Sequence, residues 1–303
     1  MWEDGADPNV LRSLQAVVAT NPTGIATIML SADGQRVSRS ATWADVDAKV
    51  RRLADCLRAE GCIAPGQRLA VLGFNSERYL HLIFACCAVD AIIVLLNVRS
   101  SPEELEAAIT DSGAVAVAAM DAALEKLVHT RIAPLVPCLR RVLSPPRDPS
   151  GNLWRVVELP RHDKPIAANG AGADDQENLG NLHCIVYTSG TTGRAKGVAL
   201  THRAQLVQAV AKRDILNYGP KTRMLSIAPL FHVGGLSSSV AVTLAGGCHV
   251  FLPRFNAAAA LAAVEAAGVN LLVVVPAMLH AVITAAAEEA AAVDAAGGPP
   301  RAL

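Results

Sequence analysis

The residues best equipped for chemistry stand together at Thr188-Ser189-Gly190-Thr191-Thr192-Gly193-Arg194-Ala195-Lys196-Gly197, directly after the apolar run His183 to Tyr187. Three glycines in that string let backbone amides turn toward a ligand, four hydroxyls are neutral donors, and Lys196 adds a compact positive charge. Amides, hydroxyls and one ammonium in a loop that follows a strand make a cradle for a polyphosphate. A charged hydrogen bond contributes roughly 1.5–3 kcal/mol, so Lys196 alone cannot hold a nucleotide and its neighbours must contribute. Two other readings fit the string less well. A Walker A loop needs GxxxxGK[ST], but Ala195 fills its second glycine position and Gly197 replaces the magnesium-binding hydroxyl. A merely flexible Ser/Thr/Gly hairpin has no need of a lysine framed by glycines at fixed spacing.

A second constellation is Pro229-Leu230-Phe231-His232-Val233-Gly234-Gly235-Leu236. It follows the strand candidate Met224 to Ala228 and opens a helix, which sets His232 at a strand-to-helix junction where side chains can face a cleft. Taken alone, a histidine between phenylalanine and valine is more often a core or capping residue. His249 and His280 have no such context and read as structural.

These segments need a frame, and the sequence describes one. Thr42 and Asp45 form a capping signature, after which Val46, Val50, Leu53, Ala54 and Leu57 recur on one helical face until Gly61. Leu69 to Leu72 reads as a buried strand, Ser76 to Ala88 as a helix and Ala91 to Leu96 as a second strand. Ser101, Pro102 and Glu104 open another helix, which Gly113 ends before the strand Ala114 to Ala118. After a Pro/Gly-rich stretch, His183 to Tyr187, Met224 to Ala228, Cys248 to Leu252 and Asn270 to Val275 are strand candidates. The alanine-rich Ala281 to Ala296 is helix-prone, and Gly297-Gly298-Pro299-Pro300 breaks it. Such alternation predicts an α/β protein with parallel strands and crossover helices on both faces. The expected organisation is a first α/β subdomain over 1–133, an irregular linker or excursion over 134–180 in which Trp154 to Leu159 adds an edge strand, and a second subdomain over 181–303.

Composition narrows the function classes. The 303 residues are 52% hydrophobic, ample for a buried core. Lys+Arg and Asp+Glu number 27 each, so no electrostatic excess favours a nucleic-acid partner. The 7 cysteines show neither CxxC pairs nor metal-ligand spacing, which predicts buried reduced thiols and a reducing compartment. Met1 to Val10 is acidic and lacks the apolar segment of a secretory leader, and Leu80 to Leu96 is interrupted by Asp90 and short for a bilayer. The expectation is a soluble intracellular protein without a membrane span.

The string from Thr188 to Gly197 resembles the phosphate-binding signature of the adenylate-forming superfamily, which comprises acyl- and aryl-CoA synthetases, peptide-synthetase adenylation domains and luciferases. Asn75-Ser76, Leu95-Leu96-Asn97-Val98-Arg99 and Pro102-Glu103-Glu104-Leu105 are similar to its earlier markers. Ala195 departs from the usual proline, which loosens the loop without removing a donor. Asp90 departs from the usual small residues, glycine included. Because a buried unpaired carboxylate is costly, Asp90 must be partnered, exposed or a local weakness.

The resemblance implies layered, mostly parallel sheets flanked by helices, as the partial large N-terminal domain of an adenylate-forming enzyme. The adenine loop, the ribose-binding aspartate and the C-terminal lid with its catalytic lysine are expected beyond this segment. It further implies an AMP-forming acid–thiol ligase: a carboxylate attacks the α-phosphate of Mg·ATP, and a thiol such as coenzyme A then displaces AMP. Thr188, Ser189, Gly190, Thr191, Thr192, Gly193 and Lys196 would contact ATP, Thr192 would face the Mg2+, Lys196 and His232 would serve catalysis, and His232, Gly234 and Gly235 would border the acid. The texture from Gly234 to Phe255 looks most like the 2-succinylbenzoate–CoA ligase branch of naphthoquinone synthesis. Medium-chain acyl and coumarate-type ligases share much of it, and a non-catalytic truncated nucleotide-binding module is the reading from another class. A peptide-synthetase module would require a carrier domain. The chain alone is expected to bind ATP weakly and not to adenylate.

Overall fold

The computed structural model describes residues 8–59, 62–146, 154–160, 181–188 and 195–295. Gly61, the loop residues Ser189, Gly190, Thr191, Thr192 and Gly193, and Gly297 to Pro300 lie outside them, as does most of the 134–180 stretch.

The described residues build two sheets. In the larger, of 7 strands, the order is β7 (Arg155–Glu158), β6 (Arg141–Ser144), β5 (Ala116–Ala119), β3 (Arg68–Leu72), β4 (Ile92–Leu96), β8 (Leu182–Thr188) and β9 (Lys196–Thr201). The inner strands run parallel, while β7 and β9 pair antiparallel at the two edges. Every residue of β4 is buried, which is why Ile92-Ile93-Val94-Leu95-Leu96 shows no polar alternation: both faces of a central parallel strand are covered. The smaller sheet, of 5 strands, has the order β12 (Leu271–Leu272), β10 (Arg223–Leu225), β11 (Cys248–Phe251), β1 (Ile25–Leu30) and β2 (Val37–Thr42).

Three early helices open on capping chemistry. Asp45 accepts from the Thr42 amide and hydroxyl at 2.9 and 2.7 Å, opening α2 (Trp43–Ala59) after α1 (Leu11–Thr20). Those bonds hold the Asp45 carboxyl below its ordinary range. Ser76 caps α3 (Glu77–Ala88) through the Tyr79 amide. A reciprocal Ser101–Glu104 box opens α4 (Pro102–Ser112), and Gly113 at φ 63 closes it in the left-handed conformation that a side chain would strain. A short α5 (Ala122–Leu127) runs into a π-helical turn, Val128–Ile132. The later helices are α6 (His202–Ile215), α7 (Val233–Leu244), α8 (Ala257–Ala267) and α9 (Pro276–Ala295).

Helix α3 is buried from Tyr79 to Cys87 because it lies in the layer between the sheets. The core around it joins Ala26 and Phe251 of the smaller sheet to Val71, Ile93 and Leu95 of the larger, through Trp43, Phe84, Leu236 and Val240. The sheets cross the sequence boundaries expected at 133 and 181. Strand β1 pairs with β11, Thr27 opposite His249, while β8 pairs with β4, Cys184 opposite Ile93. No helix among the described residues is long and apolar enough to cross a membrane.

Candidate active site

The loop string hangs from a hairpin. Strands β8 and β9 pair antiparallel down to Thr188 opposite Lys196, with the Thr188 hydroxyl 3.4 Å from the Lys196 carbonyl. The hairpin thus brings together the first residue of the string and its lysine, both exposed, at the carboxyl end of a strand paired parallel to β4. In open α/β sheets ligands collect at that end. A threonine donor and an ammonium held across a strand pair suit a polyphosphate. Thr192, the candidate Mg2+ contact, lies outside the described residues with the rest of the loop.

What fixes the hairpin is Tyr187. Its hydroxyl lies 2.9 Å from the Ala108 carbonyl and 2.8 Å from the Asp111 carboxylate, tying the end of β8 to α4. The ring passes over Gly197, where a Cβ would stand 3.0 Å from Ile185 Cγ2 and 3.2 Å from Tyr187 Cζ. Gly197 therefore keeps room for the tyrosine anchor.

His232 occupies the junction that the sequence indicated, as the N-cap of α7, with extended φ −111 and ψ 146. Its side chain makes no capping hydrogen bond and is exposed, the ring 4.9 Å from that of Phe231. Gly235 is a packing requirement, since a Cβ there would sit 2.2 Å from the Pro229 carbonyl oxygen and 2.6 Å from that of Ala228. Gly234 faces open space. Among the described residues no hydrogen bond or ion pair joins His232 to Thr188 or Lys196.

Beside this junction is a cavity of about 240 Å³ between the carboxyl ends of strands from both sheets. Phe74 and Asn75 follow β3, Val98 and Arg99 follow β4, Ser226 and Ile227 follow β10, and the stretch from Leu252 to Phe255 follows β11. Phe231 contributes to the wall, whereas His232 does not. The Arg254 guanidinium lies 4.1 Å over the Phe74 ring, an aromatic face that favours a cation. Asn75 joins the two halves: its amide donates to the Ser226 and Ala228 carbonyls at 2.7 Å each, and its oxygen accepts from the Leu230 amide at 2.8 Å. The sequence marked Asn75 by resemblance, but its tie between sheets spans 151 to 155 positions and no local pattern encodes that. Arg99 stood within the marker Leu95 to Arg99, whereas Phe74 carried no signal beyond its place at a strand end.

Residues 14–301 match the family described as AMP-binding enzyme. The chain belongs to that family. This AMP-binding family member is 36% identical over 248 residues to a feruloyl-CoA synthase of an Amycolatopsis species, covering 80% of this chain and 45% of the relative. It is 32% identical over 220 residues to the chloroplastic/peroxisomal 2-succinylbenzoate–CoA ligase of Arabidopsis thaliana, covering 71% of this chain and 38% of the relative. Among solved structures, the inhibitor-bound N-terminal domain of FACL13 from Mycobacterium tuberculosis superposes with a TM-score of 0.73 at 24% identity, covering 91% of this chain and 65% of that one. O-succinylbenzoate coenzyme A synthetase from Bacillus subtilis, in complex with AMP, superposes at 0.66 and 23% identity, covering 90% and 63%. At such identities the likeness is one of fold: two sheets flanked by helices, as in the N-terminal domains of acyl-CoA ligases. The chain spans about half the length of the curated relatives it matches.

Proposed function

We propose that this chain is the phosphate-gripping portion of an ATP-dependent carboxylate–CoA ligase, which forms an acyl-adenylate and then an acyl thioester. The observation that carries the reading is the hairpin mouth, where Thr188 and Lys196 face each other at the carboxyl end of β8 inside the family's phosphate string. The work of this portion is electrostatic: charge on the polyphosphate is met by amides, hydroxyls and one ammonium. Mg2+ would add charge neutralisation there. Two arginines in the cavity, Arg99 and Arg254, suit an anionic co-substrate.

Relatives named for ferulate and 2-succinylbenzoate support an aromatic acid, with 2-succinylbenzoate first among the candidates because the Gly234 to Phe255 texture points the same way. Medium-chain acyl acids are the next class to test. Two measurements decide. Calorimetric titration of the 303-residue chain with Mg·ATP gives weak binding that Lys196→Ala weakens further, by about 10- to 150-fold. In a polypeptide that continues this chain through the rest of the family's length, AMP release with coenzyme A present selects the acid from a panel. Binding unchanged by Lys196→Ala, or AMP release indifferent to every carboxylate, overturns the reading.

A further inference from the structure

Apart from the loop and the cavity, three buried side chains converge from three elements. Cys87 comes from the last turn of α3, His183 from β8 and His202 from the first position of α6. Each offers one atom able to ligate a metal, and these atoms lie within 4.8 Å of one another. Cys87 Sγ stands 3.5 Å from His183 Nδ1, and the two imidazole centroids are 4.9 Å apart. In tetrahedral zinc coordination, with Zn–S about 2.3 Å and Zn–N about 2.05 Å, sulfur and nitrogen ligands are separated by about 3.6 Å. The Cys87–His183 pair already has the spacing of two vertices. We propose that Cys87, His183 and His202 form a binding site for a thiophilic divalent cation of the zinc class, sharing no residue with the phosphate loop.

The surroundings agree with that assignment. His183 is wholly buried, and among the described residues its Nδ1 faces the Cys87 sulfur, whose thiol donates to the Ile83 carbonyl at 3.2 Å. Burial lowers the pKa of His183 to about 3 and that of His202 to about 4, and pushes the Cys87 thiol up. At neutral pH the three groups are therefore uncharged. When the ion binds, the thiol releases one proton to solvent as the sulfur–metal bond forms, leaving a dication, one thiolate and two neutral imidazoles. The net charge of +1 is met by Asp90, which lies within electrostatic reach of both Cys87 and His202. Asp90 stands at φ 53, a left-handed position that glycine fills at lower cost.

One consequence separates ion binding from simple packing. The Val10 amide donates to His202 Nδ1 at 3.1 Å, so that imidazole keeps its proton on Nε2. Either nitrogen that takes the ion gives up this bond. Nδ1 would commit its lone pair to the metal, and Nε2 can ligate only after the proton moves to Nδ1. The Val10 amide therefore reports occupancy.

The test titrates the 303-residue chain with Zn2+ and with Co2+, using Mg2+ as the control. Expected are one Zn2+ or Co2+ per chain, thiolate-to-cobalt charge-transfer absorption, no effect of Mg2+, and faster hydrogen exchange at the Val10 amide. X-ray absorption of the zinc form should read a single sulfur with nitrogen neighbours. Cys87→Ser removes the charge-transfer band, and Cys62→Ser leaves it. No band, a band that survives Cys87→Ser, a second sulfur in the shell, or unaltered Val10 exchange on binding would each overturn the site. If Cys87→Ser does not fold, the zinc shell of the unaltered chain decides.

Discussion

At the scale of single residues, the site depends on two side chains whose role is to hold backbone in place. Asn75 satisfies three backbone groups of the segment between β10 and α7. Asn75→Ala strands a partly buried amide and two carbonyls, and should lower stability by about 2 kcal/mol in urea unfolding. A loss below about 0.5 kcal/mol would mean that water replaces those bonds readily. Gly197→Val is the matching change at the hairpin. Its side chain would press on the Tyr187 ring, so the variant should release Tyr187 from Asp111 and weaken Mg·ATP binding while Lys196 stays in place. Nucleotide titration checks it, and undiminished affinity would show that the tyrosine anchor does not set the loop.

At the scale of elements, α3 is the member most exposed to damage, because it packs on both sheets at once. Phe84 is wholly buried within it, and Phe84→Ala should cost about 3–5 kcal/mol, read as the shift in urea midpoint at constant slope. Elements with local signatures were legible in the sequence. Ser76, Ser101 and Gly113 bound helices α3 and α4 where their capping chemistry indicated, and the apolar run at β4 is a central strand. Trp154 to Leu159 does supply an edge strand, β7. What escaped depends on distant partners. Strand β1, Ile25–Leu30, alternates too weakly to declare itself and is fixed by β11, more than two hundred positions later. The strand expected over Asn270 to Val275 shrinks to Leu271–Leu272, because its neighbour β10 is itself only Arg223–Leu225. The cysteines showed no metal-ligand spacing in the sequence because Cys87 meets a histidine 96 positions away. Asp90, suspect as a buried carboxylate, is exposed, and its strain lies in the backbone.

At the scale of the whole molecule, buried histidines set the response to acid. His81 and His249 are kept neutral first by burial, His81 also by Lys49, Arg39 and Arg78, and both pKa values fall to about 3. In the unfolded chain a histidine takes its proton near pH 6.5, so between there and about 3 the unfolded state binds more protons. Stability contributed by the neutral pair is complete above pH 6.5 and falls as the pH drops, by about 1.4 kcal/mol per pH unit for each histidine. His249→Gln should flatten the curve of unfolding free energy against pH between 6 and 4; an unchanged slope would show that His249 does not contribute. On the surface, Val275, Leu279 and Ile283 of the α9 region are 51%, 46% and 59% exposed and recur every four residues, forming one apolar stripe. Such a stripe promotes self-association, so Leu279→Glu with Ile283→Lys should reduce light scattering at high concentration while leaving the thermal midpoint unchanged. Scattering that persists would place the contact elsewhere.

The pairing of Thr27 with His249 also orders events in time. During synthesis the β1–β2 ribbon emerges early, yet the strand that must lie against it is made more than two hundred residues later, so through that interval the β11-facing edge of β1 has no partner. A nascent chain halted before β11 would expose that open edge, and chaperone dependence should end abruptly once Phe251 clears the ribosomal tunnel.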